Sequence, residues 1–271
     1  MQRELILAKL QENPKLTIRE LSKLFNVSYG KMQKFIKESG IKLMPISERL
    51  ALRNKLLCTK PPLPISERAN QIILGSLLGD GSVIRKPTNC MLTIRHSRVQ
   101  REYTLYKYQL LSKEFPGVKY EEREHSYKNG VINGRIIKDN GFCLVRTPVN
   151  QAFNIYREEW YKDKKEVPDS IYQLGPLGLA IWYMDDGTIH HPTGAYFSTQ
   201  GFSHESILKL QDMMLKNFNL HTSIHKNKDK EVLYLRQKDY SKFVEIVKEY
   251  ICPSMNYKII GHYKQGELLE S

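Results

Sequence analysis

The chain has 271 residues, with 42 Lys and Arg against 29 Asp and Glu for a formal net charge of +13. That length allows one large domain or two to three small ones, with a core that needs neither disulfides nor a structural metal, and the basic excess favours a polyanion as partner. Four scattered cysteines form no C-x-x-C pair, no apolar run approaches the ~20 residues that span a bilayer, and the start MQRELILAKLQENP reads poorly as a leader, so a soluble, cytoplasmic protein is expected.

Residues 1–44 read as a small helical module. Leu5, Ile6 and Leu10 have helical spacing before Asn13-Pro14 ends that segment. Thr17 and Glu20 make a capping box for a second helix, with Ile18, Leu21, Leu24 and Phe25 on its inner face. Asn26-Val27-Ser28 gives a short turn, and Ser28 can cap a third helix whose Met32, Phe35 and Ile36 point inward. The opposite side presents Tyr29, Gly30, Gln33, Lys34 and Lys37. Two short helices around a tight turn resemble a helix-turn-helix, whose second helix enters the major groove. The module's 9 basic and 4 acidic residues suit that role, the alternative being a three-helix protein-interaction unit. Residues 45–65 contain four prolines and read as a linker with room for a short central helix.

The rest of the chain carries an internal repeat. ILGSLLGDGS (73–82) parallels LAIWYMDDGT (179–188), and the same 106-residue offset relates Ser97 to Ser203, each opening a helical stretch. Farther on, LVRTPVNQAF parallels YLRQKDYSKF, laying Arg146 over Arg236. Two copies of one α/β unit follow, at 66–160 and 161–271. Each motif is apolar on nearly all sides and belongs at the centre of the structure, with Gly75, Gly79, Gly178 and Ala180 permitting close backbone approach. If these helices meet on a pseudo-twofold axis, their C-terminal ends bring Asp80 and Asp186 together. Two carboxylates there oppose one another and the helix dipoles, a conflict that a hard divalent cation relieves. In the overlay Asp186 falls on Asp80, whereas Asp185 falls on Gly79. Asp186 is therefore the expected ligand, Asp185 a secondary charge, and Asp185→Asn the milder change for cleavage.

These features resemble a single-chain LAGLIDADG homing endonuclease, a family named for this helix motif, over residues 66–262. The resemblance implies an α+β fold: a pseudo-twofold pair of mixed α/β units forming a β-saddle, here behind the all-α helix-turn-helix module. It implies a monomeric, metal-dependent nuclease acting on a long double-stranded DNA site, with Mg2+ or Mn2+ held by Asp80 and Asp186. It further implies basic residues near each scissile phosphate, best matched by Lys165 in KKEVP and Lys258 in SMNYK, and a polar group at Gln200 in FSTQGF. Strand alternation would turn Thr93, Arg95, Arg146, Tyr196, Ser198, Tyr234 and Arg236 towards DNA, where Arg reads guanine and Gln adenine. His221 and His225, and the pair His190-His191, lack partners for zinc. Rival readings are an intron-RNA-binding maturase and a non-cleaving transcription regulator on the same fold. Nothing at the termini resembles a protein-splicing junction.

Overall fold

The computed structural model describes residues 3–58, 61–124, 130–132, 135–137, 141–190, 194–227 and 230–260. The chain divides into two compact units, Met1–Lys60 and Pro61–Ser271.

The first unit holds α1 (Arg3–Glu12), α2 (Ile18–Leu24), α3 (Tyr29–Glu38) and α4 (Ile46–Cys58). The capping box forms as read: Thr17 accepts from the Glu20 amide, and Glu20 accepts from the Thr17 amide. Ser28 caps α3. Between α2 and α3, Asn26 adopts φ 51°, the left-handed conformation that Asn tolerates better than most residues and that a tight turn requires. Ile6, Leu21, Met32, Ile36 and Ile41 make the core of this unit. Leu24, expected inside, is exposed, as is Leu5, because Ile6 and Leu21 fill that small core. Tyr29, Gln33, Lys34 and Lys37 lie on the exposed side of α3. The proline-rich segment is more regular than its composition suggested, since α4 runs for 13 residues inside it.

The second unit contains two similar halves. The first comprises α5 (Glu67–Leu78), β1 (Gly81–Arg85), β2 (Cys90–Ser97), α6 (Arg101–Glu114), β3 (Lys119–Arg123), the hairpin β4 (Gly130–Ile132) and β5 (Arg135–Ile137), β6 (Phe142–Arg146) and α7 (Asn154–Trp160). The second comprises α8 (Pro176–Asp186), β7 (Gly187–His190), β8 (Gly194–Phe197), α9 (His204–Phe218), β9 (Thr222–Asn227), β10 (Lys230–Arg236), α10 (Gln237–Val247) and α11 (Tyr257–Ile260). Each half builds a four-stranded antiparallel sheet, ordered β1-β2-β6-β3 in one and β7-β8-β10-β9 in the other. Ser66 and Ser203 cap α5 and α9 as expected, and Ser97 opens the turn leading into α6.

The ladders fix how the halves superpose. Across the first sheet one row runs Ser82, Thr93, Arg146, Lys119. In the second, the row that starts 106 residues later runs Thr188, Tyr196, Tyr234, Ser223. Arg146 thus corresponds to Tyr234. The sequence overlay of Arg146 on Arg236 is two residues out of register, an error that preserves the strand face and so leaves the alternation intact. Leu92 and Ile94 are buried on β2, as are Leu233 and Leu235 on β10.

The halves meet where α5 and α8 cross, and Leu177 through Met184 are buried without interruption. A Cβ on Gly75 would stand 2.3 Å from the Gly178 carbonyl oxygen. The obstacle is backbone, which cannot swing aside as a side chain can. Gly75→Ala should therefore force the helices apart and cost about 3 kcal/mol or more, read as a lowered melting temperature.

Candidate active site

The crossing helices end together. α5 stops at Leu78, so Asp80 lies just past its terminus, while Asp186 is the last residue of α8. Burial, then the charges of Asp80 and Asp185, raise the Asp186 carboxyl to about 6, with Lys258 and Lys165 acting in the opposite sense. Asp80 goes the other way. Burial pushes it upward, but the adjacent His96 ring and the Lys107 and Lys258 ammonium groups hold it below the usual carboxylate range.

Asp185 acts on Asp186 as the secondary charge expected of it, and it has a structural role besides. Its side chain and that of Lys107 are both fully buried, and the Lys107 Nζ donates to the two carboxylate oxygens at 2.6 and 2.7 Å. The Tyr103 hydroxyl donates to Oδ1 at 2.6 Å, and the Asp80 amide donates to Oδ2 at 3.1 Å. Gly79 makes room: a Cβ there would lie 2.3 Å from the Asp185 Cβ. The residue that overlays Asp185 in the repeat is thus the one whose missing side chain admits it.

Ligand atoms of Asp80, His96 and Asp185 come within 4.8 Å of one another, a spacing that could hold a metal ion. The donors already on Asp185 argue against that set, because a cation there would displace a buried ammonium. Asp80 and Asp186 fit a hard cation better. Asp80 is partly open to solvent, and the elevated Asp186 carboxyl is the group that a neighbouring positive charge would relieve. His96, fully buried, has Nδ1 3.0 Å from Asp80 Oδ2, off the line of a well-formed hydrogen bond.

Both expected lysines converge here. Lys258 Nζ donates to the Met184 and Asp185 carbonyls at 2.6 and 3.2 Å, and so caps α8 with a cation where the dipole is negative. Lys165 Nζ donates to the Gly81 carbonyl at 3.2 Å, beside Asp80. Burial lowers Lys165 to about 8 and lowers Lys258 as well, with the three aspartates opposing both shifts. Gln200 is half-buried in the turn after β8, and among the described residues it makes no hydrogen bond to the aspartates or lysines.

A model of the LAGLIDADG DNA endonuclease family matches residues 70–243. The chain belongs to that family. It is 29% identical over 207 residues to the cytochrome b mRNA maturase bI2 of Debaryomyces hansenii, covering 74% of this chain and 76% of that protein. It is 27% identical over 208 residues to a probable intron-encoded endonuclease of Wickerhamomyces canadensis, covering 72% and 85%. Among solved structures, the homing endonuclease I-WcaI bound to its DNA recognition sequence shares the fold, with a TM-score of 0.60, 24% identity and coverage of 82% of this chain and 97% of that one.

Of the strand residues expected to face DNA in this LAGLIDADG protein, Arg95 and Arg236 are exposed, while Arg146, Tyr196, Ser198 and Tyr234 are half-buried. Thr93 is on the same face as Arg95 but only 8% exposed. His221 bonds Asp239, and His225 stacks on Tyr234 at 4.6 Å; His191 and the His190 side chain lie outside the described residues. Sequence reasoning missed Lys107, Tyr103 and His96. Their signal was present as a lysine at a core position of α6, in step with Tyr103 and Leu111, and a histidine in step with Leu92 and Ile94 on the inward face of β2.

Asp185→Asn strands the buried Lys107 ammonium and should cost about 3–5 kcal/mol in denaturant titration, much of it recovered when Lys107→Met is added. Asp186 gives the opposite result. Its folded value of about 6 exceeds the unfolded 3.8, so its stabilising contribution is complete below the unfolded value and is lost as pH rises through about 6. In chelator, Asp186→Asn should therefore melt higher than the parent at pH 8, by on the order of 1 kcal/mol, and match it near pH 4.

Proposed function

We propose that this chain is a site-specific double-strand DNA endonuclease that uses a divalent cation, Mg2+ or Mn2+. The carrying observation is the convergence of Asp80, Asp186, Lys165 and Lys258 at the joined ends of α5 and α8. Two half-sites within one chain make a second copy unnecessary, which supports action as a monomer. Asp80 and Asp186 would hold the cation, which when bound supplies polarisation of the phosphate and acidification of water. Lys165 and Lys258, each fixed on a backbone carbonyl, put positive charge beside the two carboxylates, where a phosphodiester gains negative charge during hydrolysis. Lys165, near 8, keeps most of its charge at neutral pH yet can yield a proton more readily than a solvated lysine. Gln200, on the turn after β8, is assigned a weaker role in positioning water.

Arg95, Arg146, Arg236, Thr93, Tyr196, Ser198 and Tyr234 belong to the faces of the two sheets that would lie against the duplex. Tyr29, Gln33, Lys34 and Lys37 would let the helical module contact DNA in its own right, raising affinity through effective concentration without a part in cleavage. Among the described residues no helix is long and apolar enough to cross a membrane. A second reading, intron-RNA binding, is favoured by the relative named as a cytochrome b mRNA maturase, and the same basic faces would serve it.

The test is cleavage of a randomised duplex library in Mg2+, followed by sequencing of the cut ends and assay of the recovered site. Asp80→Asn and Asp186→Asn should each lower the rate at least about 100-fold, and their combination should leave no cleavage. Undiminished cutting by the doubly substituted chain would remove the catalytic assignment. Tight binding to structured intron RNA, with no cutting of any duplex, would favour the maturase reading.

A further inference from the structure

The two sheets carry different chemistry at matching places. Beside the row containing Arg146, the next row runs Arg95, Leu144, Glu121; in the second sheet the same step from Tyr234 leads to Val232 and His225. Where the second half stacks His225 on Tyr234, with ring centroids 4.6 Å apart, the first half pairs Glu121 with Arg146. Glu121 also accepts from Arg123 Nη2 at 2.9 Å. Arg95 on the same face lies over the Phe142 ring at 3.8 Å. The face thus bears Lys119, Arg95, Arg123 and Arg146, and Glu121 is its single carboxylate among the described side chains. Glu122 points the other way and binds Arg101 and Tyr120.

A carboxylate amid cations on a phosphate-binding face weakens attraction to every duplex alike. Stability does not explain it. The side chains of Glu121, Arg146 and Arg123 are 32%, 33% and 55% exposed, and ion pairs this open contribute little. What the cluster does is set two guanidinium groups against one carboxylate, each with more donors than the bond that links it to Glu121. Arginine pairs with guanine O6 and N7, and carboxylate accepts from cytosine N4 but repels phosphate and the acceptor edges of guanine and thymine.

Building on the proposed DNA-cleaving function, we infer that Glu121, with Arg123 and Arg146, is a specificity device that reads a G·C pair in the half-site under the first sheet. Glu121 gives up general affinity in exchange for discrimination, by keeping the two arginines from settling on phosphates. The second half-site, facing Tyr196, Tyr234 and His225, has no such element among the described residues and is read by other contacts.

The experiment uses the full chain and a randomised duplex library, selected by binding in chelator so that affinity is read without cutting. Sites enriched by the parent should show a G·C requirement confined to one half. Glu121→Gln should bind random duplex as tightly or more tightly, while its preference for G·C over A·T at that position falls about tenfold. Arg146→Lys, which keeps the charge but loses the fork, should also lose that preference. Unchanged base preferences in Glu121→Gln, or a loss spread evenly over the whole site, overturn the role of Glu121 and leave the endonuclease reading standing. If the parent enriches no duplex sequence, the DNA reading itself fails and this inference fails with it.

Discussion

The carboxylate of Asp185 fits between the halves only because Gly79 has no side chain. That single vacancy lets α5 and α8 finish side by side with a buried ion pair just beneath their ends. The carboxylate belongs to the second half, and its donors come from the first. Lys107 and Tyr103 stand on α6, and the Asp80 amide closes the loop from the end of α5. Such a pair repays its desolvation only when every lone pair is matched, and here both carboxylate oxygens have donors. The position of Asp80 follows from it, since its backbone is anchored on the same carboxylate.

The neighbourhood then treats the two motif aspartates unequally. Asp80, next to His96 and partly open to water, stays readily ionised, while Asp186 is pushed up towards neutrality by burial and by its acidic neighbours. Lys165 and Lys258 suffer the matching effect in reverse, because low polarity disfavours any charge. The site therefore carries electrostatic tension that an added positive charge would release. The repeat makes the halves similar in outline; the side chains at equivalent places make them inequivalent in chemistry.

Much of this was legible in the sequence because it rested on local rules. The capping box at Thr17, the serine caps at Ser28, Ser66 and Ser203, and the inward alternation of Leu92 and Ile94 all involve residues a few positions apart. The repeat itself revealed Asp80 and Asp186, since two copies of an apolar run ending in Asp-Gly are a strong signal. What escaped was long-range. Nothing near Lys107 in sequence says that it neutralises a residue 78 positions away, and a lone lysine on a helix normally reads as solvated. The pairing of Arg146 with Glu121, and its register match to Tyr234, likewise depend on which strands become neighbours. Leu24 shows the reverse error, where correct helical spacing did not reveal how small the module's core would be.

The tie between Lys258 and the end of α8 bears on how the protein is made. Tyr183 donates to the Lys258 carbonyl, Tyr240 donates to that of Ile259, and the Lys258 ammonium returns to Met184 and Asp185. A ribosome that has translated through α10 has already delivered both motif aspartates, Lys107, Lys165 and the strands of both sheets. It has not delivered Lys258. Domains fold as units during synthesis, so a nascent chain cannot complete the cluster at the ends of α5 and α8 before Lys258 has been made. Translation order thus keeps the last cation out of the site until nearly all of the fold is in place.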